Sequence, residues 1–232
     1  NNSSFRDKII LTSKCGIVLR NQNRDTKYYD LSFDHIVKSV EGSLSRLKTD
    51  YLDFLLLHRP DYLLNPEEIS KAFDNLKKSG KVRYFGVSNF SVSQIKMLEK
   101  YLNESLNICQ IEINLKNIES FNNGILDLCL QHKISPQAWS PLAGINNALN
   151  GNLSEIQYKN VIKELHIQSK KYSCDAEAIV LAWLLKHPSK ILPVIGSTQI
   201  SRIKKCISSL KVDYSKEDWY RILEKRNGVE VP

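Results

Sequence analysis

Residues 51–61 read YLDFLLLHRPD, in which Leu52 and then Phe54 to Leu57 form an apolar run interrupted only by Asp53. An unbroken apolar run of this length fits a strand buried on both faces, as in a parallel sheet covered by helices. The run stops at His58, Arg59 and Pro60; a proline has no N–H for the ladder and biases the preceding residue toward extended backbone. His58 is therefore predicted at the C-terminal mouth of a central strand, the edge where α/β proteins bind ligands. By position alone it could equally be a strand-end histidine bonded to a neighbouring loop.

The same alternation runs along the chain. Residues 8–13 (KIILTS) predict a strand and residues 20–34 an irregular polar stretch. Ser32 then caps a helix with Ile36, Val40, Leu44 and Leu47 at helical spacing. Asn65-Pro66-Glu67-Glu68 opens a second helix, which Gly80 stops. Strands follow at 82–87, 107–113, 134–138 and 191–195, with helices at 91–101, 121–131, 159–172, 175–186, around Arg202 and at 215–226. Residues 143–157, rich in Asn and Gly, predict a loop. Six strand-helix units with no break in the alternation and no interdomain linker indicate one α/β domain over residues 1–232 with a parallel sheet.

Motif and composition narrow the chemistry. No strand is followed by G-x-G-x-x-G, and a Walker A loop is also missing. Polar residues instead gather just after several different strands: Lys14, His58, Ser88-Asn89, Gln110, Trp139-Ser140 and Gly196-Ser197. Sites assembled from many strand ends are characteristic of the (β/α)8 TIM barrel, although six units are two short of closure. The composition, 42% hydrophobic and 25% charged, is ordinary for a globular chain, and the net charge is +8. Its basic residues are dispersed among acids with no Lys/Arg stripe and interleaved aromatics, which argues against a nucleic-acid partner and favours a solvated surface or a phosphorylated small molecule. No stretch reaches the ~20 apolar residues of a membrane span. Five cysteines without C-x-x-C spacing suggest reduced thiols in a cytosolic protein, and no pair of Cys or His has zinc-ligand spacing.

The pieces TSKCGI, YLDFLLLHRPD, SGKVRYFGVSNF, CQIEIN, AWSPLAG and VIGSTQISRI, in this order, resemble the aldo-keto reductases over essentially the whole chain. Gly80 to Phe90 is the most specific of them, and HRPD after the strand and VP at the C-terminus resemble a bacterial branch. The resemblance implies a (β/α)8 barrel, NADP(H) as cofactor, and reversible reduction of a small-molecule carbonyl substrate by hydride transfer. It implies catalytic roles for Lys14 and His58. Ser88, Asn89 and Gln110 are expected to bind the nicotinamide carboxamide and Trp139 to stack on the ring. Ser140 and Leu142 are expected at the pyrophosphate, and Ser197 and Arg202 at the 2′-phosphate. Gly196 stands where many members have a lysine, and Cys206 where an asparagine is common.

Taken singly, these residues have ordinary structural readings. Lys14 could be a strand-end surface lysine, Ser88-Asn89 a turn or helix cap, Gln110 a core amide, Trp139 packing and Arg202 a solvated helix residue. The family's aspartate and tyrosine precede the TSK strand, whereas only thirteen residues precede Lys14. The first two strand-helix units are thus expected to lie outside this sequence, with Tyr28 and Tyr29 in the wrong loop to replace the tyrosine. Two functions stay open from sequence: a working reductase, or a truncated relative that binds NADPH without turnover. The truncated form would leave the first and last strands as open edges.

Overall fold

The structure, a computed structural model, describes residues 3–143, 145 and 156–232. The chain forms two compact units, Asn1–Gln110 with Gln131–Ile134, and Ile111–Leu130 with Ser135–Pro232. Most of the predicted 143–157 loop lies outside the described residues.

In the first unit, β1 (Thr12–Cys15), β4 (Leu52–Leu57), β5 (Val82–Ser88) and β6 (Leu106–Glu112) pair in parallel, in that order. Strands β2 (Ile17–Val18) and β3 (Tyr28–Tyr29) form a small antiparallel pair. Helix α1 (Ser3–Arg6) precedes β1, and helices α2 (Phe33–Leu47) and α3 (Pro66–Lys78) follow β3 and β4. Their apolar faces, Ile36 and Val40 on α2 and Ile69, Phe73 and Leu76 on α3, are buried with Leu55, Leu56, Leu57, Phe85 and Val87 of the strands. Phe73 stacks on Phe85 at 4.0 Å between ring centroids. The predicted caps form, Ser32 accepting from the His35 amide and Asn65 from the Glu67 amide, and Ser91 accepts from the Gln94 amide at the start of α4 (Val92–Glu99).

One predicted strand moves. The stretch predicted as a strand at residues 8–13 pairs only from Thr12, so Lys14 lies inside β1 opposite Leu56. The cause is tertiary. Asp53, buried within β4, accepts from Arg6 at 2.8 Å, from the Leu11 amide at 2.9 Å and from Arg83 at 3.2 Å. Arg6 also donates to the Ile9 and Tyr51 carbonyls, and residues 7–9 turn back on it through the bond of the Ile9 amide to the Arg6 carbonyl. Of the predicted residues before Thr12, the Leu11 carbonyl accepts from the Asp53 and Phe54 amides of β4. Burial pushes the Asp53 carboxyl up, but the Leu11 amide and the Arg6 and Arg83 charges outweigh it and hold it below its ordinary value. A charged residue is tolerated in a strand buried on both faces because it is paired and fully hydrogen-bonded.

In the second unit, β7 (Ser135–Trp139) and β8 (Leu192–Val194) pair in parallel. Helix α5 (Ile125–His132) begins four residues later than predicted, after a 3-10 turn at Glu119–Phe121 and a positive φ at Gly124. Helices α6 (Ile156–Tyr172), α7 (Ala176–Leu185), α8 (Ile200–Ile207) and α9 (Lys216–Asn227) complete the chain. Trp183 and Trp219 stack 5.1 Å apart and each donates its indole N–H to the other's backbone carbonyl. This locks α9 onto α7. At the other end of α9, Arg226 donates to the Leu115 and Lys116 carbonyls and so fixes the turn that follows β6.

No helix among the described residues is long and apolar enough to cross a membrane. Among them no disulfide joins any of the five cysteines, and no group of three His, Cys, Asp or Glu could hold a metal ion.

Candidate active site

Lys14 and His58 line one cavity of about 260 Å³ in the first unit, together with residues of β2 and α2. The His58 amide donates to the Cys15 carbonyl at 2.9 Å, continuing the β1–β4 ladder one step past Leu57 and fixing the imidazole beside β1. Burial lowers the imidazole pKa below its ordinary value, and the nearby charges of Lys14, Arg59 and Lys27 lower it further. His58 is thus neutral at neutral pH, with one ring nitrogen free to donate and the other to accept. Burial also lowers the Lys14 ammonium, and among the described residues no carboxylate pairs with it. Lys27, which acts on His58 through charge from a loop, was not singled out from sequence.

The Ser88-Asn89-Gln110 cluster depends on the glycine of the YFGVSNF stretch. A Cβ at Gly86 would come within 2.5 Å of the Ile108 carbonyl and 2.6 Å of Leu56, so β5 and β6 approach there as only glycine allows. The β5–β6 register shifts between Phe85 and Gly86, which sets Ser88 opposite Gln110. Asn89 then turns out of the strand at φ 61°, a left-handed conformation that asparagine tolerates better than most residues. Its amide donates to the Gln110 carbonyl at 2.9 Å and its side chain donates to Ser88 Oγ at 2.8 Å. Ser88 and Gln110 are both buried. The structure therefore brings these three residues together.

In the second unit, a cavity of about 330 Å³ is lined by Ser140, Leu142, Ser197 and Arg202, four of the residues expected at a cofactor. Ser140 follows Trp139 at φ 50°, and its carbonyl accepts from the Ala143 amide, which fixes the turn after β7. Trp139 is the last residue of β7 and half-buried. Ser197 Oγ accepts from the Gln199 amide, ordering the entry to α8. Arg202, exposed on α8, has no carboxylate partner among the described residues. Gly196, Glu177, Lys205 and Cys206 complete much of the wall. Glu177 and Lys205 were not singled out from sequence; the available signal was the three-residue spacing of Arg202 and Lys205, which puts both on one helix face. Hydroxyls, backbone turns and an unpaired guanidinium suit a phosphate-bearing nucleotide.

Comparison with known proteins shows the family and the fold. The model of the Aldo/keto reductase family matches residues 1–227. An uncharacterized oxidoreductase, YcsN, of Bacillus subtilis is 40% identical over 231 residues, covering 98% of this chain and 76% of its own. A 6-dehydroglucose reductase of Agrobacterium fabrum is 39% identical over 230 residues, covering 98% and 75%. Among solved structures, that of a thermostable aldo-keto reductase, Tm1743, with the inhibitor epalrestat superposes with a TM-score of 0.74 at 24% identity, covering 84% of this chain and 67% of that one.

The chain belongs to the aldo/keto reductase family. Its fold is that of the (β/α)8 barrel, of which it supplies six parallel strands with their helices. It is an oxidoreductase that passes hydride between a nicotinamide cofactor and an aldehyde or ketone carbonyl.

Proposed function

We propose that the chain uses NADPH and that Lys14 and His58 act at the carbonyl being reduced. The observation that carries the cofactor assignment is Arg202, without a carboxylate partner among the described residues, beside Ser197 on the 330 Å³ cavity, a site that offers charge and hydroxyl to the 2′-phosphate that NADH lacks. Ser140 and Leu142, on the same wall, are the candidates for the pyrophosphate. Ser88, Asn89 and Gln110 supply amide and hydroxyl groups suited to a carboxamide, and Trp139 an aromatic face for the nicotinamide ring.

The bound cofactor supplies the hydride. As hydride reaches a carbonyl carbon, negative charge grows on oxygen and must be stabilised or protonated. His58, neutral, donates one N–H to that oxygen and fixes its direction. The Lys14 ammonium stabilises the growing charge, on the oxygen or on the acid that protonates it. One family model spanning both compact units supports reading residues 1–232 as a single catalytic domain. Five cysteines that form no disulfide among the described residues support a reducing, cytosolic setting.

The test is oxidation of NADPH and NADH, followed by the loss of reduced-nicotinamide absorbance, with a panel of aldehydes and ketones. Oxidised sugars come first in the panel because the Agrobacterium relative is a 6-dehydroglucose reductase. Carbonyl-dependent oxidation that is faster with NADPH is expected, and Arg202→Ala removes the preference. Absence of carbonyl-dependent oxidation with either cofactor overturns the reading.

The pH profile gives a second check. Protonated His58 cannot accept a hydrogen bond at its second nitrogen and adds a charge beside Lys14, so activity falls as pH drops through the imidazole pKa. Since that pKa is lowered, the acid limb of kcat/KM lies below the ~6.5 of a free imidazole. Lys27→Ala removes one of the lowering charges and moves the limb to higher pH. A limb that stays in place in this variant separates the profile from His58.

A further inference from the structure

Arg202 and Lys205 lie three residues apart on α8 and line the same cavity as Ser197. A phosphate monoester carries a charge of about −1.5 to −2 at neutral pH. Arg202 meets roughly half of it, while Glu177 on the same wall adds charge of the wrong sign. Position 196, next to Ser197, contributes no side chain. Among the described residues the wall therefore lacks one positive charge for a doubly charged phosphate unless Lys205 provides it.

Lys205 is not free in this state. Its ammonium pairs with Asp175 at 3.0 Å, both side chains being close to half exposed. The bond to Asp175, with the charges of Asp175 and Glu177, raises the ammonium pKa, so it stays charged throughout the neutral range. An exposed pair of this kind is weak and screened, and exchanging its carboxylate for a phosphate costs little. Asp175 is the cap residue of α7 but its side chain makes no capping bond, so its one described side-chain partner is Lys205. The flexible lysine stem lets the head group swing between two anions on the same side of the helix.

We infer that Lys205 is a specificity-determining residue, the second cation for the adenosine 2′-phosphate, held in reserve by Asp175 until NADPH enters. This inference rests on the NADPH reading of the cavity. The pairing makes a double prediction that a merely structural ion pair would not. Removing Lys205 weakens NADPH alone, whereas removing the Asp175 charge frees Lys205 and tightens NADPH.

The experiment is titration of the whole chain with NADPH and with NADH, by quenching of tryptophan fluorescence at two salt concentrations, for Lys205→Ala, Asp175→Asn and Arg202→Ala. For Lys205→Ala, the NADPH Kd rises about fivefold at low salt while the NADH Kd moves less than twofold. In Asp175→Asn the NADPH Kd falls about two- to threefold, and raising the salt shrinks both effects. A lysine placed at position 196 restores NADPH preference to the Lys205→Ala chain, because a Cβ there meets nothing within 4 Å. If Arg202→Ala loses NADPH preference but Lys205→Ala does not, or if Asp175→Asn weakens both cofactors, the role of Lys205 is overturned and the NADPH reading survives. If Arg202→Ala also leaves the preference unchanged, both fall together.

Discussion

Lys14→Met and His58→Ala each lower carbonyl reduction by roughly a thousandfold, the scale of a lost acid-base or oxyanion contact, while NADPH affinity stays within about twofold. The separation is expected because both side chains line the 260 Å³ cavity of the first unit, whereas the phosphate-binding candidates line the cavity of the second. Neither substitution breaks an ion pair: Lys14 has no carboxylate partner among the described residues, and the His58 contact with β1 is made by its backbone amide. Folding should therefore be preserved, which a thermal melt checks. The kinetic signature is a fall in kcat with little change in cofactor binding, measured by single-turnover oxidation of bound NADPH. Unchanged turnover in both variants would sink the catalytic assignment.

The second large effect is structural but reads out at the site. Gly86→Ala sets a methyl group 2.5 Å from the Ile108 carbonyl, a backbone atom that cannot turn aside, and 2.6 Å from Leu56. Forcing an extra carbon into so close an approach costs about 3 kcal/mol, so Tm falls by roughly 6–12 °C. The strands must also part next to the register shift that aligns Ser88 with Gln110, so the Asn89 amide loses its bond to the Gln110 carbonyl. Cofactor binding weakens along with stability. Gly196→Ala is the control: its added carbon meets nothing within 4 Å, and stability should move by less than ~0.5 kcal/mol. Equal melting temperatures for the two alanine variants would show that the β5–β6 approach is not as tight as described.

What could be read from the sequence was local. The apolar run before His58 defines β4 within one residue, since only a doubly buried strand accommodates it. Ser32, Asn65, Ser91 and Ser215 all accept the capping bonds their side chains suggest. The failures are long-range. The stretch at residues 8–11 is as strand-like as β1 itself, yet it begins in a turn at Arg6, which is anchored to Asp53 47 residues away, and reaches β4 through the Leu11 carbonyl. β2 and β3 are two residues each and have no periodicity to read. Tyr101 falls outside α4, which ends at Glu99. At the candidate site, the strand-end residues stood out because polar side chains interrupt apolar runs there. Lys27, Glu177 and Lys205 did not, because a charge on a loop or an exposed helix face looks the same whether or not it borders a cavity.

The Trp183–Trp219 pair has an optical consequence. Two indoles stacked 5.1 Å apart and tilted by only 11° are close enough for their electronic transitions to couple. The chain has three tryptophans, and the third, Trp139, is the one proposed to stack on the nicotinamide. Circular dichroism in the indole bands would thus follow the joining of α7 and α9, and quenching of Trp139 emission would follow cofactor arrival. Two events in one molecule become separately visible without any added label.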